Sequence, residues 1–284
     1  MDAFLPLSGY RVVSLAINVP GPVASARLRE LGAHVTKVEP PAGDFLARAA
    51  PTWYELLREG QTVVTLDLKS EGGRHDLDVL LRDADVLITS SRPSALARLG
   101  LASGDVLERY ERLCIVAIVG HGTPNAERAG HDVTYQAEAG LVSSQAMPLS
   151  LFADVAAGES AVAAALALLL QRTRTGRGGF AEVALADAAS RMAAPRRHGL
   201  TGANGILGGA LPTYALYAAS DGVVALAALE PHFAARIRAE VGQADADGTS
   251  FSRLFATRTV GEWEAWGRDH DVPIAAVTDP GAHS

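Results

Sequence analysis

The 284-residue chain has one cysteine, Cys114. That excludes an internal disulfide and any cysteine-cluster metal site. Cys114 lies in "RLCIVAIVG", an apolar run that reads as a buried strand, so a small core residue is expected there and not a nucleophile. Basic blocks are missing as well. With 25 basic against 32 acidic residues the net charge is −7, and the electrostatic footprint of a nucleic-acid partner is absent. The apolar run "AVAAALALLL" is about half a membrane span. The start, "MDAFLPLSGYRVVSL", has an acidic Asp2 and no charged-then-apolar signal layout. These absences predict a soluble, cytoplasmic protein with no membrane partner. No Gly-x-Gly-x-x-Gly follows the first strand, and P-loop, His-Glu-x-x-His and Gly-x-Ser-x-Gly patterns are lacking. Eight histidines are scattered without ligand spacing, so no metal site is expected. Acid/base or carboxylate-nucleophile chemistry remains.

A 48% hydrophobic and 20% charged composition supports a sizeable core in one or two domains. "YRVVSLA" reads as a strand, "PGPVASARLRELGA" as a helix with Pro22 in its first turn and Gly32 at its end, and "HVTKVEP" as a second strand. This βαβ pattern recurs through "QTVVTLDL", "EGGRHDLDVLLRDA", "DVLITS", "SALARLGL" and "LCIVAIVG". It predicts an α/β, doubly wound parallel sheet with ligands at the strand carboxyl ends. The turns there are "NVPGP", "EPPAGD", "SSRPS" and "GHGTP". A small-residue helix, "GESAVAAALALLLQR", follows. Residues 195–212 are glycine-rich without a period and read as a linker. "TYALYAASDGVVALAALE" reads as a hairpin turning at Asp221-Gly222. Two helices and a last strand, "VPIAAV", complete a smaller unit. The expected domains are residues 1–200 and 201–284.

Residues 128–160, "RAGHDVTYQAEAGLVSSQAMPLSLFADVAAGES", set His131, Asp132 and Asp154 among small apolar residues. Ionisable groups are costly to hold there unless paired or used. His131 beside Asp132 fits a satisfied structural pair as well as a catalytic group. Asp154 fits a helix cap as well as a catalyst. Tyr135, four positions past His131, shares its face on a helix and fits either a pocket wall or a core ring.

Several blocks carry a resemblance. "GYRVVSLA", "PGPVASARLRELGAHVTKVEPPAGDFLA", "TVVTLDLKSEGGR", "SSRPSALARLGL", "GHGTPNAERAGHDVTYQAEAGL" and "QRTRTGRGGFAEVALADA" resemble, in order, the blocks of the family III CoA-transferases, which include the α-methylacyl-CoA racemases. The resemblance implies a Rossmann-like large domain, a smaller α/β second domain, an interlocked homodimer and an acyl-CoA substrate. The family's catalytic carboxylate matches Asp154, and the racemases' second acid/base group matches His131 in the "AGHD" block. "AALEPHF" resembles a racemase segment whose glutamate, here Glu230, orients that histidine. Lys37, Arg92 and Arg98 match basic positions around the CoA nucleotide, although Arg98 also fits a solvated face charge. Leu66 matches a position beside the adenine. Asp132 and Tyr135 fall in the substrate-contacting block.

The racemase branch implies inversion by a base on one face of Cα and an acid on the other, with helix N-terminal N–H groups near Asp154 serving the thioester oxygen. No metal or redox cofactor is needed, since CoA arrives as the substrate. The transferase branch implies attack by Asp154 on the thioester and a mixed anhydride. A third expectation is a CoA-ester binder of low activity. His131 and Asp154 are 154 − 131 = 23 positions apart, a shorter loop than in the racemases. The chain stops at Ser284, where family members continue and return to the large domain, so that return segment is expected to be absent.

Overall fold

The computed structural model describes residues 5–242 and 247–278. The chain divides into two compact units, Met1–Ala193 and Ala194–Ser284. The sequence reading placed this division at residue 200. In unit 1 the strands are β1 (Arg11–Ser14), β2 (His34–Glu39), β3 (Thr62–Thr65), β4 (Val86–Thr89), β5 (Cys114–Val119) and β6 (Gly179–Ala184). The helices before β4 are α1 (Pro20–Glu30), α2 (Leu46–Ala49), α3 (Pro51–Arg58) and α4 (Glu71–Arg82). Those after it are α5 (Pro93–Arg98), α6 (Ser103–Arg109), α7 (Asp132–Ala139), α8 (Phe152–Thr175) and α9 (Leu185–Met192).

The six strands form one sheet in the order β3-β2-β1-β4-β5-β6, and every pairing is parallel. This is the expected doubly wound, Rossmann-like fold. β4 and β5 are buried along their whole length, as parallel strands covered on both faces must be. Alternation divides them between two cores. Val12, Val86, Ile88, Val116 and Ile118 face α1, α8 and α9. Val13, Leu87 and Ile115 face Leu77, Leu81, Leu96 and Val106 on the helices of the other side. Strand order reverses between β1 and β4, which opens a crevice at their carboxyl ends.

α8 is longer than the apolar run suggested. It has 24 residues and, by length and composition, could cross a membrane. Its Ala153, Ala157, Ala161 and Ala165, spaced four apart, are fully buried in the unit 1 core. The small residues let α8 lie close to α1. A Cβ on Gly158 would sit 2.8 Å from Val23 Cγ1 and 3.0 Å from the Pro20 carbonyl.

Unit 2 contains a helical turn at Ala194–Arg197 (α10), an antiparallel hairpin of β7 (Tyr214–Ala218) and β8 (Val223–Ala227), and β9 (Ile274–Ala276) beside β8. The hairpin turns at Asp221-Gly222, as expected. Among the described residues, three helices lie between β8 and β9 where two were expected: α11 (Pro231–Val241), α12 (Gly248–Phe255) and α13 (Val260–Asp269). The segment read as a linker is tighter than its composition implied. It holds α10 and a turn over Ile206–Ala210, with Gly209 at φ 94°. Tyr217, Phe251, Phe255 and Trp263 fill the unit's own core.

Because α1 cannot retreat from α8 without leaving the sheet, Gly158→Val is expected to destabilise the protein by about 1–3 kcal/mol. A urea midpoint matching that of the unmodified chain would show that the two helices can separate freely.

Candidate active site

Four of the expected site residues meet at the crevice. Arg92, His131, Tyr135 and Asp154 line one cavity of about 240 Å³ together with Asn18 and Arg128. Arg92 precedes Pro93 at the start of α5, where proline suits the first helical position. His131 is exposed and directly precedes α7, with its own backbone N–H donating to Thr134 Oγ1 at 3.1 Å. Tyr135 lies one turn further on and is buried.

Asp154 is not the cap of α8. Leu151 holds that position, and Asp154 is the third helical residue. The capping carboxylate comes from another helix. Asp132, only 5% exposed, accepts the Asp154 N–H on Oδ1 at 3.0 Å. Its Oδ2 accepts from Gln136 Nε2, which also donates to the Ser150 carbonyl at 2.9 Å. Asp132, expected among the substrate contacts, is therefore a buried clamp between α7 and α8. This takes one of the expected donors for a thioester oxygen, because the Asp154 amide is already engaged. Gln136 escaped the sequence reading. Its position four residues after Asp132 on one helix face was the available signal.

Burial, and then the adjacent Asp132 charge, push Asp154 up from 3.8 to about 7. Among the described residues its carboxylate accepts no hydrogen bond that would favour the charged form. The loop carrying His131 is fastened by two further carboxylates. Glu182 takes the Thr123 N–H at 2.7 Å and its hydroxyl at 2.9 Å. Glu127 does the same for Ser94 at 2.7 and 2.8 Å.

Lys37 requires a correction. It was expected to contact CoA phosphates, yet it is 1% exposed and pairs with Glu39 and with Asp44 Oδ2 at 2.7 Å. An ammonium already held by two buried carboxylates is not available to an incoming phosphate. Burial pushes Glu39 up, but its bonds to Lys37 and Tyr54 outweigh that and hold it below the usual value. The network shapes the site from behind. Asp44 Oδ1 accepts the N–H of Asn18 at 3.0 Å, and Asn18 takes the left-handed conformation at φ 68° in the cavity wall.

Leu66 lines a second, apolar cavity of about 440 Å³ with Pro40 and Lys69. Ile17 and Ser91 form walls of both cavities, so the two meet across the ends of β1 and β4. Arg98 is exposed and lines neither. It borders a separate depression with Arg74 and Arg109. Glu230 belongs to unit 2, where it is exposed and directly precedes α11. Its role toward His131 stays an implication of the resemblance.

A carboxyl whose folded-state value lies above its unfolded value binds its proton more tightly when folded. Ionising Asp154 thus costs stability as pH rises from about 4 to about 7. Asp154→Asn is expected to be more stable than the unmodified protein by about 1–3 kcal/mol at pH 8, with the difference closing below about pH 4. Urea denaturation across that range measures it, and a difference that grows toward low pH would contradict the assignment.

The sequence pattern of "CoA-transferase family III" matches residues 7–283. Alpha-methylacyl-CoA racemase of Mus musculus is 29% identical over 289 residues, which cover 90% of this chain and 74% of that protein. The probable fatty acyl-CoA transferase Rv3272 of Mycobacterium tuberculosis is 32% identical over 203 residues, 65% of this chain and 51% of that protein. The chain thus spans about half the length of that curated relative. A crystal structure of Rv3272, 26% identical, agrees with a TM-score of 0.83 over 96% of this chain and 84% of that one. A pattern matched across nearly the whole chain, on a fold shared with Rv3272, means that the protein belongs to CoA-transferase family III.

Proposed function

We propose that the protein inverts the α-carbon of a 2-methylacyl-CoA-type thioester by proton transfer between His131 and Asp154. The observation that carries this reading is that both residues line one cavity at the β1/β4 crevice. There Asp154 titrates near neutrality. A carboxyl poised at about 7 serves as acid or base, and inversion asks that of it in alternate directions. The span of the similarities gives further support. In sequence the mouse racemase aligns over 90% of this chain, whereas the probable fatty acyl-CoA transferase Rv3272, whose structure superposes over 96%, and a succinate–glutarate CoA-transferase align over 65% and 66%.

In this reading the adenine end of CoA takes the apolar cavity beside Leu66, and Arg92 meets the phosphates. The acyl end passes Ile17 and Ser91 to reach Asp154. One of the two groups removes the α-proton and leaves an enolate. The other returns a proton to the opposite face, so the thioester leaves with inverted configuration and no net change of atoms. The protein works as a homodimer. A second reading has a specific observation in its favour. The Asp154 carboxylate accepts no hydrogen bond among the described residues, which suits a nucleophile that attacks the thioester carbonyl and expels the CoA thiolate.

Incubation with each enantiomer of a 2-methylacyl-CoA in D₂O, followed by mass spectrometry and chiral analysis, separates the two. His131→Ala and Asp154→Ala are each expected to lower inversion by roughly 10²–10⁴-fold in both directions. Each variant keeps α-deuterium uptake in one enantiomer only, the opposite one in each case. Tolerance of His131→Ala, with hydroxylamine trapping an acyl group on Asp154 and CoA passing to a free acid, would establish the transferase instead. CoA-ester binding without either reaction would reduce the protein to a binder.

A further inference from the structure

Tyr135 holds a hydroxyl that nothing among the described residues satisfies. The residue is 3% exposed, and its ring meets His121 edge-on with centroids 5.2 Å apart. Buried tyrosine hydroxyls ordinarily find a partner. This oxygen has none, and it is not one of the sealed, partnerless polar atoms of the core. It opens on the cavity that His131 and Asp154 also line. Two glycines keep its place clear. A Cβ on Gly120 would lie 2.3 Å from the hydroxyl oxygen, and one on Gly130 would lie 2.6 Å from it. Burial and the nearby Asp154 charge raise the phenol above its usual value, so it stays protonated and able to donate. Of the helix N-terminal N–H groups near Asp154 that the sequence suggested for a thioester oxygen, that of Asp154 itself is spent on Asp132.

We propose that Tyr135 is a further catalytic residue that donates a hydrogen bond to the thioester oxygen as that oxygen gains negative charge. The inference rests on the racemase reading. When the α C–H bond breaks, its proton passes to His131 or Asp154. The electron pair forms the C=C bond of the enolate, and the carbonyl π pair moves onto oxygen. Tyr135 keeps its proton and shares it with that oxygen. Reprotonation of the other face restores the carbonyl.

Tyr135→Phe in the full chain preserves the ring and removes only the donor. Inversion is expected to slow by about 10²–10³-fold in kcat, equally from either enantiomer, because both directions share one enolate. KM is expected to stay within about threefold, and CoA-ester affinity and Tm to stay unchanged. Equal loss in both directions sets this variant apart from His131→Ala and Asp154→Ala. An unchanged kcat, a loss confined to KM or a loss from one enantiomer alone would overturn the proposal. If the unmodified protein takes up no α-deuterium, the racemase reading fails first. Tyr135→Phe is then measured in CoA transfer to a free acid, where the hydroxyl faces the oxyanion of the tetrahedral intermediate and the same loss is expected. An unchanged transfer rate overturns the proposal, as does the absence of both activities.

Discussion

The site depends on one buried carboxylate. Asp132 receives the backbone N–H of Asp154 from one helix and the Gln136 amide from the other. It joins the start of α8 to the first turns of α7, so His131 and Asp154 cannot drift apart independently. The same group acts through its charge. It lies close enough to Asp154 to add to the effect of burial in raising that carboxyl to about 7. Leaving the donors at this junction unmatched would cost about 1–3 kcal/mol for each orphaned buried partner. The geometry of the junction is therefore held, and the proton affinity of Asp154 reinforced, by a residue that need not touch substrate.

The crevice that receives this junction follows from the sheet. Reversal of strand order between β1 and β4 opens a crevice at their carboxyl ends, and the loops there carry Asn18 and Ser90–Arg92. These loops are tied back to the frame. Ser90 Oγ accepts the Ile17 N–H at 3.0 Å, and Asp44 accepts that of Asn18. Lys37 pairs with Asp44 from beneath. What reads in sequence as a basic contact for a ligand is in space the neutralising centre of a loop support. Burying that charge is tolerable because two carboxylates share it.

The order of secondary elements and the parallel sheet were legible from the sequence, because strands buried on both faces must be near-continuously apolar and crossover helices must alternate with them. His131 and Asp154 were legible as a resemblance, since their blocks are contiguous in the chain. Boundaries were less so. Apolar alanine repeats did not mark where α8 begins, and glycine content hid the turns of residues 195–212. Only the tertiary structure decided the parts played by individual polar residues. Lys37 and Arg92 are both basic residues near strand ends, yet one is sealed among carboxylates and the other opens on a cavity. Asp132 and Asp154 are both acidic, yet one caps a helix that the other belongs to. Residue type and local spacing determine which element forms and which face is apolar. Whether a polar group meets a partner or a ligand depends on residues distant in sequence, and that is settled only when the elements pack.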